Sequence, residues 1–193
     1  MAAPLDDAVA AAAAGDERAF TTLYRAVQPP LLRYLRVVEG AAAEDIAAEA
    51  WLEVARRISS FSGDEAGFRA WIFTIARSKA VDRIRREARR PVEHIEDMPG
   101  LDPSCPDDVA ERVVSVLTTH DALRLIATLP PDQAEVVTLR VIADLDVSTV
   151  AAMTGKSPGA VRVAQHRGLR RLAAMLSSTS PPLPWAPAGA RPA

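Results

Sequence analysis

Two short stretches of this 193-residue chain concentrate side chains that bind phosphate. Positions 77 to 90 hold Arg77, Lys79, Arg83, Arg85, Arg86, Arg89 and Arg90 against Asp82 and Glu87, a local charge of +5. Positions 156 to 171 hold Lys156, Arg162, Arg167, Arg170 and Arg171 with no acid, a second +5. Cations at this density displace counterions from a polyanion, which is the sequence-independent part of nucleic-acid binding. A helix C-terminus gains from one or two such cations; seven within fourteen residues exceed that need. A solvated basic face is the plainer reading, and the charge density favours nucleic acid over it. The formal net charge of −2 hides both patches. Residues 91–111 offset them with Glu93, Glu96, Asp97, Asp102, Asp107, Asp108 and Glu111 and no Lys or Arg, a local −7. Distribution, not the sum, indicates the partner.

Other chemistries find little support. Cys105 is the single cysteine, so neither an internal disulfide nor a cysteine-based zinc site is expected. His94, His120 and His166 are scattered without metal-ligand spacing, and no nucleophile grouping or glycine-rich phosphate loop stands out. The chain reads as non-catalytic, with no cofactor. Its opening, "MAAPLDDAVAAAAAGDERAF", lacks a basic n-region and reads as a helix rather than a signal peptide. No window approaches ~18 strongly apolar residues, so no membrane span is expected. A reducing, cytoplasmic compartment fits these features.

The elements that must carry the basic residues are helices. Strong helix formers dominate and β-branched alternation is scarce, so the expected fold is all-α. Residues 5–90 are helical in pattern, with turn signals at "AGDE", "QPP" and "FSGDEAG". Residues 91–112 combine four prolines with the acidic run and read as a flexible linker. Residues 113–176 are helical again, broken at "LPPDQ" and "MTGKSPG". The Pro/Ala/Ser-rich tail 177–193 reads as disordered, with Trp185 its large anchor. Two small helical domains on an acidic tether is the expected layout.

Within the first domain, "FRAWIFTIARSKAVDRIRREARR" (68–90) places Phe68, Trp71, Ile72 and Ile75 at helical spacing ahead of its basic half. The apolar half would anchor a rigid charged surface. Upstream, "EDIAAEAWLEVARRISSF" (44–61) turns Ile46, Ala50, Trp51, Val54 and Ile58 inward and Asp45, Ala48, Glu49, Leu52 and Arg56 outward. A leucine among acids is either an ordinary amphipathic surface or an acidic docking face with an apolar centre.

The second domain is more specific. Asp146 is placed to cap a helix over 147–154 with Val147, Val150, Ala151 and Met153 inward, and Gly155 to end it in the left-handed conformation. Ser157 caps the next helix, whose first position is Pro158. Val161, Ala164, Gly168 and Leu172 give that helix a buried stripe, and Arg162, His166, Arg167, Arg170 and Arg171 fill the rest. Other αα-hairpins share this skeleton, but the basic residues point to a DNA-binding helix-turn-helix.

In order along the chain, "AGDERAFTTLYRAVQPPLLRYLR", "EDIAAEAWLEVARRISSF", "FRAWIFTIARSKAVDRIRR", "ALRLIATLPPDQAEVVTLRV" and "VSTVAAMTGKSPGAVRVAQHRGLRRL" resemble the extracytoplasmic-function sigma factors of the sigma-70 family. The resemblance implies a sigma-2-like domain (5–90) and a sigma-4-like domain (113–176), with core RNA polymerase and promoter DNA as partners, and leaves an anti-sigma factor open. It implies polymerase docking through Asp45, Glu49 and Leu52 on the clamp helices of the largest subunit. It implies −10 recognition and melting through Trp71, Arg77, Ser78, Lys79, Arg83 and Arg86. It further implies −35 reading through Ser157, Arg162, Val163, His166, Arg167, Arg170 and Arg171, while the same domain holds the flap of the second large subunit, and a linker that lies in a basic channel as a nucleic-acid mimic. The chain departs from the family at Ser78 (usually asparagine), Ala48 (usually glutamine), Val163-Ala164 (usually Ser-Arg) and Leu169 (commonly arginine). A stand-alone helix-turn-helix regulator with an N-terminal partner-binding domain is the alternative, although the charged 44–90 region does not suggest a sensor pocket. A DNA-processing enzyme would need a nucleophile or an acidic metal cluster beside the basic patches, and none is visible.

Overall fold

This computed structural model describes residues 5–88 and 111–179. Among them every regular element is helical and no strand occurs. Helices α1 (Leu5–Ala13), α2 (Glu17–Glu39), α3 (Ala43–Arg57) and α4 (Glu65–Ala88) build the first helical region. The second contains α5 (Glu111–Ala127), α6 (Pro131–Val137), α7 (Val147–Thr154) and α8 (Pro158–Thr179). The all-α expectation is met. The linker and the tail lie outside the described residues, apart from their helical margins: α5 already begins at Glu111, and α8 continues through Thr179. Ser177 is therefore helical, its hydroxyl donating to the Ala173 carbonyl at 2.9 Å, rather than the start of the tail.

Local signals explain most boundaries. The Asp16 carboxylate accepts from the Arg18 and Ala19 amides at 2.8 and 3.1 Å, closing the open start of α2. Asp64 does the same at the start of α4, accepting from the Gly67 amide at 2.8 Å. The first region is built around α2, which packs on α1, α3 and α4, while α3 packs on α4.

One expectation fails. "QPP" signals a turn in the sequence, yet α2 continues through Pro29 and Pro30. Each proline lacks an amide donor, and its ring crowds the carbonyl four residues back, a cost of about 3 kcal/mol in a helix interior. Burial on both sides outweighs it. Leu23, Val27, Leu31, Tyr34 and Leu35 form one stripe that is at most 1% exposed, and Pro30 lies in it. Breaking the helix at the prolines would strip half of that stripe from the core, at ~1.5–3 kcal/mol for each large side chain.

The same stripe serves both regions. Helix α2 packs on α5, on α6 and on the π-turn Thr138–Ile142 as well as on its own neighbours. A single buried cluster runs from Tyr34 and Phe73 to Val136, Leu139, Val150 and Val161. Val37 of α2 covers a smaller cluster formed by Ile126, Leu129, Ala134 and Val137. The two helical regions are packed together rather than connected through the linker alone.

Pro29 is exposed, so Pro29→Ala restores a donor and removes a ring clash without disturbing the core. Net stabilisation of about 1–2 kcal/mol is expected, since the helix gain exceeds the ~0.4–1 kcal/mol of unfolded-chain entropy that proline withholds. Urea unfolding measures it. A loss of stability would show that the fixed backbone angle of Pro29 contributes more than its missing donor costs.

Candidate functional site

The acidic face of α3 emerges as its periodicity predicts. Ile46, Ala50, Trp51 and Val54 are buried, Ile58 is buried in the 3-10 turn that follows, and Asp45, Ala48, Glu49 and Arg56 are exposed. Leu52 is 57% exposed, too open for a packing role within the chain. It borders a shallow depression of about 520 Å³ whose other wall is Phe20, Tyr24 and Gln28 of α2 and whose floor includes Ala48 and Trp51. Sequence reasoning missed the α2 side. Phe20 and Tyr24 are four residues apart and so share a helix face, which was the available signal. Glu44 stands at the rim, held by Arg36 at 2.8 Å; that hydrogen bond lowers its carboxyl below the ordinary range.

Trp51 joins this depression to the basic helix. Its indole N–H donates to Gln28 Oε1 at 2.6 Å, and its ring lies 5.7 Å from Phe20, 4.9 Å from Tyr24 and 6.3 Å from Phe68. Phe68 continues to Phe61 and Trp71, and these last two stack at 4.9 Å. Trp71 and Ile75 are half-buried, whereas Phe68, Ile72, Phe73, Ala76 and Ala80 are buried. The apolar half of α4 is thereby fixed, as expected, and Trp71 spends much of its surface on that anchoring.

The basic half of α4 departs from a simple exposed face. Ser78 and Arg86 are exposed, while Arg77, Lys79 and Arg83 are half-buried and each meets an acid. Arg77 Nε donates to Glu135 of α6 at 2.8 Å. Lys79 reaches Glu49 on the acidic face of α3 at 3.5 Å. Arg83 pairs with Glu87 at 2.8 Å and stands 3.9 Å from Glu39, whose side chain is 5% exposed. Burial pushes the Glu39 carboxyl up and Arg83 draws it back; neither Glu39 Oε1 nor Arg83 Nε has a hydrogen-bond partner. Glu135 and Glu39 were not recognised from the sequence, because both act across helices.

The second region contains the helix-turn-helix. Asp146 caps α7, accepting from the Thr149 amide at 2.9 Å and the Thr149 hydroxyl at 2.7 Å, with Ser148 as a third donor. Gly155 follows at φ 69°. Ser157 Oγ then accepts from the Ala160 amide at 3.2 Å, and Pro158 opens α8. Val161 and Gly168 are buried and Ala164 and Leu172 half-buried, whereas Arg162, Val163, His166, Arg167, Arg170 and Arg171 are exposed. Gly168 is glycine for a reason of space: a Cβ there would stand 2.7 Å from Val137 Cγ2 of α6. Arg140, another residue the sequence reading missed, donates from Nε to Gln165 of α8 at 3.3 Å and from Nη1 to the Leu145 carbonyl, tying the turn before α7 to the recognition helix. Lys156 is drawn aside to Asp132 at 2.9 Å, so it contributes less to the basic patch than its position suggests.

A helical module with an exposed acidic face and an anchored basic helix, packed beside a helix-turn-helix, defines a modular DNA-binding protein. The described residues hold no group of His, Cys, Asp and Glu able to bind a metal, and none of their helices is long and apolar enough to cross a membrane. The Sigma-70 region 2 family matches residues 23–90, and the Sigma-70, region 4 family matches residues 119–172. The ECF RNA polymerase sigma factor SigD of Mycobacterium tuberculosis is 34% identical over 87% of this chain and 82% of its own length. ShbA, an ECF RNA polymerase sigma factor of Streptomyces griseus, is 36% identical over 83% of this chain and 89% of its own. The sigma factor RpoE of Bartonella quintana, solved with the anti-sigma factor NepR, shares the fold at TM-score 0.59 and 21% identity, over 83% of this chain and 98% of that one. The chain belongs to the extracytoplasmic-function sigma factors, the subunits that give bacterial RNA polymerase its promoter specificity.

The Asp146 cap generates a pH prediction. Hydrogen bonds from Ser148 and then Thr149 hold its carboxyl well below the ordinary carboxylate range. A carboxyl depressed in the folded state contributes stability that is complete above the unfolded value and lost as pH falls through the lowered one. Asp146→Ala should cost about 0.5–2 kcal/mol at neutral pH. The two chains should converge in stability as the pH drops below the ordinary carboxylate range, followed by urea unfolding across pH.

Proposed function

We propose that the three exposed faces divide the work of a sigma subunit. The acidic face of α3, with Asp45, Glu49 and Leu52, docks on core RNA polymerase, its clamp helices in the largest subunit being the partner. The depression between α2 and α3 receives an apolar side chain of that partner, and Ala48 leaves it open. Arg77, Ser78, Lys79, Arg83 and Arg86 on α4 grip and read the −10 element, held rigid through Trp71. Ser157, Arg162, Val163, His166, Arg167, Arg170 and Arg171 present the −35 surface on α8. Such a subunit works where RNA polymerase works, in the cytoplasm. An inhibitor of the anti-sigma class that accompanies the Bartonella factor is proposed as a further partner.

The observation that carries this division is the exposed, acid-free recognition helix behind a capped turn, set beside a separately anchored basic helix. A stand-alone regulator has no use for the second basic helix or for an exposed leucine among acids.

Docking is tested by Asp45→Lys and Leu52→Ala. Each should weaken co-elution with core polymerase, Leu52→Ala by about 1–2 kcal/mol as an apolar contact at the centre of an interface, with helix content unchanged. Glu49→Gln is cleaner than Glu49→Lys, because a lysine there would repel Lys79, 3.5 Å from the Glu49 carboxylate. Undiminished co-elution overturns the assignment.

Reading is separated from gripping along α8. Arg162, Val163, His166 and Arg167 lie in its N-terminal half, which reaches base edges in this motif, and Arg170 and Arg171 lie a turn later. Arg162→Ala should cost about 1–3 kcal/mol at the preferred −35 element and relax preference at one position. Arg170→Ala should weaken all sequences alike and lower the salt dependence by about one phosphate contact. A −35 library measured at two salt concentrations decides. The reverse pattern would mean that the helix faces DNA the other way.

A further inference from the structure

Val163 is 48% exposed in the N-terminal half of α8. Two residues past the buried Val161, it stands about 200° round the helix, nearly opposite the face that packs on α6 and α7. Arg162, His166, Arg167 and Arg170 surround it, all exposed, and the helix contains no acid. A side chain at the centre of that arc points into the groove when the arginines beside it reach phosphates and base edges. Valine brings neither a donor nor an acceptor there.

Gly159 lies one turn earlier, in the direction in which helical side chains lean. It too is exposed, and the fold does not require it. Its backbone is helical rather than left-handed, and a Cβ would meet only Ser157 Oγ, at 3.9 Å, an ordinary contact. Gly168, by contrast, is imposed by Val137. Glycine and β-branched valine are both poorer helix formers than alanine, yet they occupy exposed positions that no packing selects. Local rules broken with no gain inside the fold are expected where a ligand sets the residue.

One requirement explains both choices. An arginine carries its charge roughly 7 Å from its Cα and reads a base from a distance, whereas valine ends about 2.5 Å out. To touch a base at ~3.5–4.0 Å, valine needs the helix backbone close to the floor of the groove. With Gly159 and Ala160 on the turn beside it, no side chain longer than a methyl holds that backbone away. Among the base edges of the major groove only thymine offers an apolar group, its C5 methyl. Guanine, adenine and cytosine would set a polar edge against the valine methyls and lose water without gaining a partner.

We propose that Val163 is a specificity-determining residue of α8, selecting thymine at one position of the bound duplex by contact with its C5 methyl. Gly159 admits the backbone closely enough for that contact. The inference deepens the assignment of α8 to the −35 element and rests on it.

The test uses holoenzyme assembled from the full chain and core RNA polymerase, with promoter duplexes selected from a random-sequence pool. Replacing the thymines of the selected −35 element by deoxyuridine, one at a time on either strand, removes only the C5 methyl and keeps every hydrogen-bonding atom. One replacement should weaken binding about fourfold, the worth of one methyl taken out of water. At that position 5-methylcytosine should exceed cytosine by the same factor, and Val163→Ala should bring both ratios close to one. Gly159→Ala has room in the fold, so its urea midpoint should equal or exceed that of the parent chain, yet it should also erase both ratios. Tolerance of deoxyuridine at every thymine, or a penalty that persists undiminished in Val163→Ala, overturns the inference. A penalty that Gly159→Ala leaves intact overturns the close approach. Arg162→Ala and Arg170→Ala holoenzymes separate these failures from failure of the −35 reading. If both bind the selected duplex as the parent does, α8 does not contact the element and the reading itself fails. If they bind it more weakly while deoxyuridine is tolerated, only the thymine contact is wrong.

Discussion

The packing of Trp51 is the constraint on which the first region depends. It is 6% exposed, hydrogen-bonded to Gln28 of α2 and in ring contact with Phe20, Tyr24 and Phe68. One side chain of α3 thus sets the position of α2 on one side and α4 on the other. Aromatic contacts of this kind contribute about 0.5–1.5 kcal/mol each beyond buried area, and a buried indole N–H without its acceptor would cost about 1–3 kcal/mol. The exposed side of α3 presents Leu52, and the far end of the aromatic chain fixes Trp71. The acidic face of α3 and the basic helix α4 are therefore two surfaces of one rigid packing unit.

That unit was legible in the sequence only in part. The inward faces of α3 and α4 followed from apolar spacing, because a helix with one apolar stripe has one way to bury it. The helix-turn-helix was legible almost completely, since Asp146, Gly155, Ser157 and Pro158 act on neighbours within four residues. What spacing cannot show is the identity of the covering helix. Phe20 and Tyr24 completed the depression at Leu52 from more than twenty residues away, and Arg140 reached Gln165 across the turn. The prolines of α2 misled for a related reason. Their local preference is real, and it lost to the buried stripe of a helix that packs on five others.

Charge was the least legible property. Counting residues 77–90 describes an unopposed basic surface, yet Lys79, Arg77 and Arg83 are partnered by Glu49, Glu135, Glu39 and Glu87. Only Glu87 lies within that window. Helix α8, in contrast, contains no acid along its whole length, and its arginines stand on an exposed face. The two basic patches carry the same formal charge and differ in what a phosphate must displace to reach them.

That difference orders their encounter with DNA. On α8 a phosphate displaces water and counterions, so long-range attraction is available from the first approach. On α4 it must first displace a carboxylate. For the exposed pair Arg85–Asp82 the cost is small, because such pairs contribute about 0–1 kcal/mol. For Arg77, largely shielded from water, the carboxylate of Glu135 is held by a charge-assisted bond and by the apolar contact around it. The arginines of α8 are thus open to a phosphate, and Arg77 of α4 is not.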